Sequence, residues 1–217
     1  MKFSFDTITD FDKHIELSVP NYNHIFELIS SLSTYYIQKY STVYDLGCST
    51  GLLIKNLSLI NKVPDVSFIG YEISDNMRPK SGIEGWTWIQ SDIVCEARLD
   101  CASLILSIFT LQFLPIQDRA TVLKKAYDSL NPGGALIVCE KVVMEDGFSQ
   151  EIFTFSYYDY KRKSFTEKEI LDKQTDLRSI MKPLSVSDNE RMFNNAGFTN
   201  IQTFFQSLQF YGWILTK

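Results

Sequence analysis

At 217 residues, with 45% hydrophobic and 22% charged side chains, the chain has the size and composition of one globular domain with a real core. A net charge of −5 and a pI near 5.1 argue against a surface built to hold nucleic acid by its phosphates. No apolar run approaches the ~20 residues of a membrane span, and residues 1–12 are mixed polar and aromatic without a signal-like apolar stretch, so a cytoplasmic protein is expected.

In chain order, residues 1–21 lack clean periodicity and end in the turn-like Ser18-Val19-Pro20-Asn21. Ile25, Phe26, Ile29, Leu32 and Tyr36 then recur at helical spacing, which predicts a helix over 22–39. Thr42-Val43-Tyr44-Asp45-Leu46 is a short β-branched run that stops at Gly47, and a helix follows from near Gly51 to Ile60. Val66 to Tyr71, Trp86 to Ile89 and Ser103 to Leu106 read as three further strands. A helix is predicted over 118–130, with Asn131-Pro132-Gly133-Gly134 as its stop and Ala135 to Cys139 as the next buried strand.

Residues 146–186 break this rhythm and are expected to form a helical insertion or lid within the single domain, its Phe153, Phe155, Tyr157 and Tyr158 facing a pocket or a partner subunit. A helix over 187–195 stopped by Gly197 precedes two β-rich runs, 200–206 and 210–216, whose short gap suggests a hairpin. Strands alternating with helices imply a mostly parallel sheet covered on both faces. With a terminal antiparallel hairpin, the expected fold is a Rossmann-like α/β sheet of seven strands, of the class I methyltransferase type.

Cys48, Cys95, Cys101 and Cys139 form no C-x-x-C pair and the chain has two histidines, so neither a zinc site nor a structural disulfide is expected. The chemistry-bearing pattern lies elsewhere. Gly47-Cys48-Ser49-Thr50-Gly51 places a Gly-x-x-x-Gly turn at the exit of the first strand, where the backbone can approach a ligand closely. It is not the Gly-x-Gly-x-x-Gly of a dinucleotide site, so a zwitterionic amino-acid tail suits it better than a pyrophosphate. Glu72 follows the second strand, where a carboxylate can accept from both hydroxyls of a ribose. Asp92 follows the third, where it can accept from an adenine amino group.

Several segments together resemble the carboxy-S-adenosylmethionine synthase family: Ser18 to Tyr22, Val43 to Gly51, Phe109-Thr110-Leu111-Gln112-Phe113-Leu114, Leu130 to Leu136 with Glu140-Lys141, Tyr160-Lys161-Arg162, Arg191 to Phe198 and Phe205-Gln206. The resemblance runs from about Pro20 to the C-terminus. It implies a transferase that converts S-adenosylmethionine (SAM) and prephenate into carboxy-SAM and phenylpyruvate, in supply of tRNA wobble-uridine modification, and that forms a homodimer. By the same resemblance Tyr22 closes over the cofactor, Gly47, Cys48 and Ser49 underlie its methionine part, Glu72 and Ile73 meet ribose and adenine, and Asp92 and Ile93 meet the adenine end. Ile108 stands where the family has an asparagine, and Gln174 where it has an arginine for the cofactor's extra carboxylate. A neutral amide cannot supply arginine's charge-assisted fork. Lys161, Arg162 and Lys173 are the candidate cations for substrate carboxylates, with Lys161 and Lys163 read rather as solvated surface charges. The alternative is a SAM-dependent methyltransferase of another acceptor, and a third reading is a non-catalytic binder of SAM or carboxy-SAM. No catalytic side chain is identified.

Overall fold

The computed structural model describes residues 10–81 and 84–217; the reading of residues 1–9 lies outside them. Seven strands form one sheet: β1 (Ser41–Leu46), β2 (Val66–Glu72), β3 (Thr87–Gln90), β4 (Ala102–Ile108), β5 (Leu130–Lys141), β6 (Asn200–Ser207) and β7 (Phe210–Thr216), in the order β3-β2-β1-β4-β5-β7-β6. β1 to β5 are mutually parallel, while β7 runs antiparallel to both β5 and β6. The helices are α1 (Phe11–Ser18), α2 (Tyr22–Ser33), α3 (Leu52–Ile60), α4 (Ile116–Ser129), α5 (Gly147–Lys161), α6 (Glu167–Arg178) and α7 (Val186–Ala196).

Successive side chains of a strand point to opposite faces, and here both faces are covered. Val43, Leu104, Leu106 and Ile137 pack with Ile25 and Ile29 of α2 and Ile54 and Leu57 of α3. Tyr44, Ile105, Leu136 and Val138 pack with Val122, Leu123 and Ala126 of α4 and with Phe193 of α7. The near-continuous apolar runs of the central strands follow from that double burial.

Three elements depart from the sequence-based expectation. α1 was not foreseen: Asp10 caps it by accepting from the Lys13 N–H at 3.0 Å, yet none of its residues is buried in the core, because its apolar face covers a cavity. α2 ends at Ser33 rather than near residue 39, and Tyr36 keeps helical spacing only because Tyr36 and Ile37 fold back in a turn onto the Ser33 carbonyl. Asn131 to Gly134 ends α4 but is drawn into β5 as an irregularity, with Leu130 paired to Ala102 and a register shift before Leu104.

Gly51 is positioned by both conformation and space. Its φ is +80°, and an added Cβ would lie 2.0 Å from the Trp86 ring. Gly85 has a similar φ of +83° but its nearest side-chain atom would be 3.6 Å away. Gly51→Ala should therefore destabilise the fold by ~2–3 kcal/mol, against ~1 kcal/mol for Gly85→Ala, the difference being the overpacked ring. Urea denaturation measures both; equal losses would remove Trp86 as the cause.

Candidate active site

The carboxyl ends of β1 to β5 open into a cavity of about 790 Å³, the place where open parallel sheets bind ligands. Helices α1, α5 and α6 cover it, contributing among others Phe11, His14 and Ile15, Tyr157 and Lys161, and Lys173 and Gln174.

At one end stands the Gly47 turn with Glu72. One Glu72 oxygen accepts from the Ser49 N–H and the other from the Ser74 N–H, both at 3.0 Å. The carboxylate thus staples the turn after β1 to the loop after β2, and each oxygen keeps a lone pair free toward the cavity. The Gly47 and Cys48 N–H groups both donate to the Tyr71 carbonyl, at 2.8 and 2.9 Å. With these donors used internally, the turn offers close approach rather than an anion nest. An added Cβ at Gly47 would meet Thr110 at 2.5 Å. Asp92 lines the same end, its Oδ1 accepting from the Val94 N–H at 2.7 Å, and Ile73, 66% exposed, and Ile93 add apolar surface.

The next wall is the segment from Ile108 to Leu114. Phe109 takes a left-handed φ of +59° and donates its N–H to the Cys139 carbonyl, then Leu111–Phe113 forms a 3-10 turn. Buried Glu140 fixes that turn by accepting from the Leu111 and Gln112 N–H groups at 2.9 and 2.7 Å. Burial pushes its carboxyl up to about 8, against the pull of Arg119 and the backbone donors. Arg119, 1% exposed, donates to the Leu114, Gln112 and Lys182 carbonyls.

The opposite end is cationic. Lys141, next to Glu140 and so on the other face of β5, lies over the Tyr157 ring at 4.4 Å from its centroid. Lys161 is 5% exposed, with Nζ 3.4 Å from the Ser18 hydroxyl and 4.3 Å from the Phe165 centroid. With Lys173 they line the cavity, and burial pulls all three ammonium groups down to about 8, with Lys161 repelling each of the other two.

Of the residues singled out from sequence, Gly47, Ser49, Glu72, Ile73, Asp92, Ile93, Ile108, Lys173 and Gln174 share this cavity wall. Tyr22, Cys48 and Arg162 do not. Tyr22 packs beside Phe26, its hydroxyl pushed up by burial and by Asp12 and Asp45. The Cys48 thiol is buried where a Cβ on Gly70 would lie 2.6 Å away, and Arg162 pairs with Asp159 and Glu167 outside the cavity. Tyr157 and Tyr158 line the cavity, whereas Phe153 does not and Phe155 is 54% exposed.

Sequence reasoning passed over His14, Lys141 and Asp45, and read Lys161 too readily as solvated. Asp45 is 3% exposed at the end of β1, its carboxyl pushed up to about 7 by burial and by Glu72. A carboxylate in an otherwise apolar strand was the available signal; for Lys141 it was a lysine closing a buried strand.

The strand order and the cavity at its carboxyl edge define a class I methyltransferase fold, and residues 19–203 match the family described as a methyltransferase domain, to which the chain belongs. The structure of human N-acetylserotonin methyltransferase in complex with SAM superposes with a TM-score of 0.58 at 15% identity, over 89% of this chain and 52% of that one; the chain thus spans about half its length, and the likeness is one of fold. The carboxy-S-adenosyl-L-methionine synthase of Staphylococcus epidermidis is 36% identical over 99% of this chain and 95% of that protein. The Vibrio parahaemolyticus protein of the same name is 33% identical over 96% and 89%. Within the methyltransferase fold, the chain belongs to the carboxy-S-adenosyl-L-methionine synthase family.

His14 reports on the cationic end. Burial, then Lys173 and Lys161, lower its imidazole from 6.5 to about 4. Between those values the unfolded chain binds the extra proton, so this group makes stability rise with pH from about 4 to 6.5 and lose that contribution as pH falls. NMR titration of the His14 ring should find it neutral at pH 6; a midpoint near 6.5 would mean that neither burial nor the lysines act on it.

Proposed function

We propose that this protein is a carboxy-SAM synthase that binds SAM across the ends of β1, β2 and β3 and takes prephenate as its carboxyl donor. The observation that carries the reading is one continuous cavity with carboxylate acceptors at one end and ammonium groups at the other. It sits in a chain aligned over nearly its whole length with enzymes of that name.

The residues fit SAM. Glu72 has lone pairs left for the ribose hydroxyls, Asp92 accepts from the adenine amino group, and Ile73 with Ile93 supplies apolar contact for the ring. The bare Gly47 backbone admits the methionine part. SAM supplies a sulfonium-activated methyl carbon. Prephenate supplies CO2 and, as its ring becomes aromatic, hydroxide, so the net products are carboxy-SAM, phenylpyruvate and water.

The protein's own part is to exclude bulk water and hold the two substrates together. α1 serves as a strap over the site: Thr50 donates to Asp12 at 2.7 Å, and the Tyr157 and Tyr160 hydroxyls donate to the Ser18 and Val19 carbonyls at 2.9 and 3.3 Å. α5 and α6 serve as the lid. Ile108 and Phe109 bound the reacting centre without offering a nucleophile. The same reading makes the protein a cytoplasmic homodimer that feeds tRNA wobble-uridine modification without itself holding nucleic acid.

Two measurements check it. Incubation with SAM and prephenate should yield phenylpyruvate and a nucleoside heavier by one CO2; SAM binding without either product would turn the assignment to methyl transfer, with the neutral Gln174 as the reason. Glu72→Ala should weaken SAM binding by ~1.5–3 kcal/mol and stability by ~1 kcal/mol, because the Ser49 and Ser74 N–H groups lose their acceptor. Calorimetric titration giving equal SAM affinity would take Glu72 out of the site.

A further inference from the structure

In the turn after β1, Gly47, Ser49 and Gly51 all take a left-handed backbone, with φ of +79°, +49° and +80°. The two glycines adopt it without a clash, whereas the serine carries a Cβ into a region that L-residues avoid. A strained residue beside a binding site persists only where its surroundings hold it. Ser49 is held from both sides. Its N–H donates to Glu72 at 3.0 Å, and its carbonyl accepts from the Trp88 indole N–H, also at 3.0 Å. The Cys48 thiol lies 3.8 Å from the same carbonyl, a longer contact from a weaker donor.

Trp88 belongs to β3 at the edge of the sheet, and β2 stands between it and the turn. Its cross-strand partner is Gly70, which has no side chain to stop a ring reaching over β2. A Cβ there would meet the Cys48 thiol at 2.6 Å and the Trp86 ring at 3.3 Å. The Trp88 side chain is buried, and the Arg78 guanidinium lies 4.4 Å from its ring centroid, itself paired with Asp75 at 2.8 Å. The ring is thus fixed by its own strand and by the loop after β2, with its one polar atom aimed at Ser49.

We propose that Trp88 is a positioning residue for SAM. By holding the Ser49 carbonyl it keeps the turn in the shape that admits the methionine part, and it keeps the Ser49 N–H on Glu72. The role rests on the reading of this end of the cavity as the SAM site. Without the indole N–H, Ser49 relaxes out of the left-handed region and Glu72 loses one of the two donors that orient it.

The test is a double-variant cycle read by calorimetric titration of S-adenosylhomocysteine. Trp88→Phe keeps an aromatic ring in the core and removes the N–H, and it should weaken binding about 3- to 10-fold. In a Ser49→Gly background, where the left-handed conformation no longer needs holding, the same replacement should cost less than about twofold. The stability lost with the smaller ring, read by urea denaturation, should be alike in both backgrounds, so only a role through Ser49 separates the two affinities. In the unaltered protein the Trp88 indole N–H should be protected from hydrogen exchange, and its NMR resonance should shift when S-adenosylhomocysteine is added. Equal losses of affinity in the two backgrounds, or an indole N–H that exchanges freely, overturn the proposal. Affinity untouched by Trp88→Phe yet weakened by Glu72→Ala would overturn this role alone; affinity untouched by either would overturn the placing of SAM as well.

Discussion

The site depends on one buried carboxylate. Glu140 is 2% exposed near the end of β5 and accepts the Leu111 and Gln112 N–H groups, forcing the chain after β4 into a short turn. Gln112 is thereby aligned to accept the Lys141 N–H at 2.9 Å and to pass its own carbonyl to Arg119 and to the Lys182 N–H. Arg119 closes the network on the Lys182 carbonyl. The sheet, the loop after β4 and the segment leaving α6 are thus tied by hydrogen bonds rather than by apolar packing alone. Desolvating a carboxylate and a guanidinium is costly, and here every bond they make is to backbone. Such an arrangement specifies a geometry more than it adds stability.

That geometry separates charge along the cavity. The strand order puts β1 and β4 side by side and sends β2 and β5 to opposite sides of them, so side chains ending those strands reach opposite ends of one cleft. Carboxylates collect at the β1–β3 end and amines at the β5 end. The lysines come from β5, α5 and α6, and His14 from α1, so the cationic end exists only when the covering helices are docked. Docking uses polar contacts, chiefly the Tyr157, Tyr160 and Lys161 bonds to Ser18 and Val19. These are bonds of modest net strength, and they add to the apolar packing of Val19 and Tyr157 in the core.

Much of this was legible because the signals are local. Gly197 was readable as the stop of α7, which it ends in the left-handed region, whereas the caps Asp146, Thr166 and Ser185 went unread. Glu72 and Asp92 were readable because strand ends in a parallel sheet converge on one edge. Misplaced boundaries trace to tertiary effects: α1 turns its apolar face to a cavity, and Asn131 to Gly134 stops a helix yet is recruited by the neighbouring strand. Arg162 was preferred to Lys161 as the inward cation, but adjacent helical residues point about 100° apart, and it is Lys161 that lines the cavity while Arg162 pairs with Asp159 and Glu167 outside it.

By itself the sequence determined the alternation of strands and helices, the antiparallel ending, the glycine turn and the acids that follow two strands, since each depends on residues near one another in the chain. The tertiary structure alone decided which charges meet. Lys141, Lys161, Lys173 and His14 come from four separate elements, and no spacing in the chain encodes their convergence. Whether a lysine is solvated or buried over an aromatic ring is set by what packs upon it, and that is decided only when the helices close over the sheet.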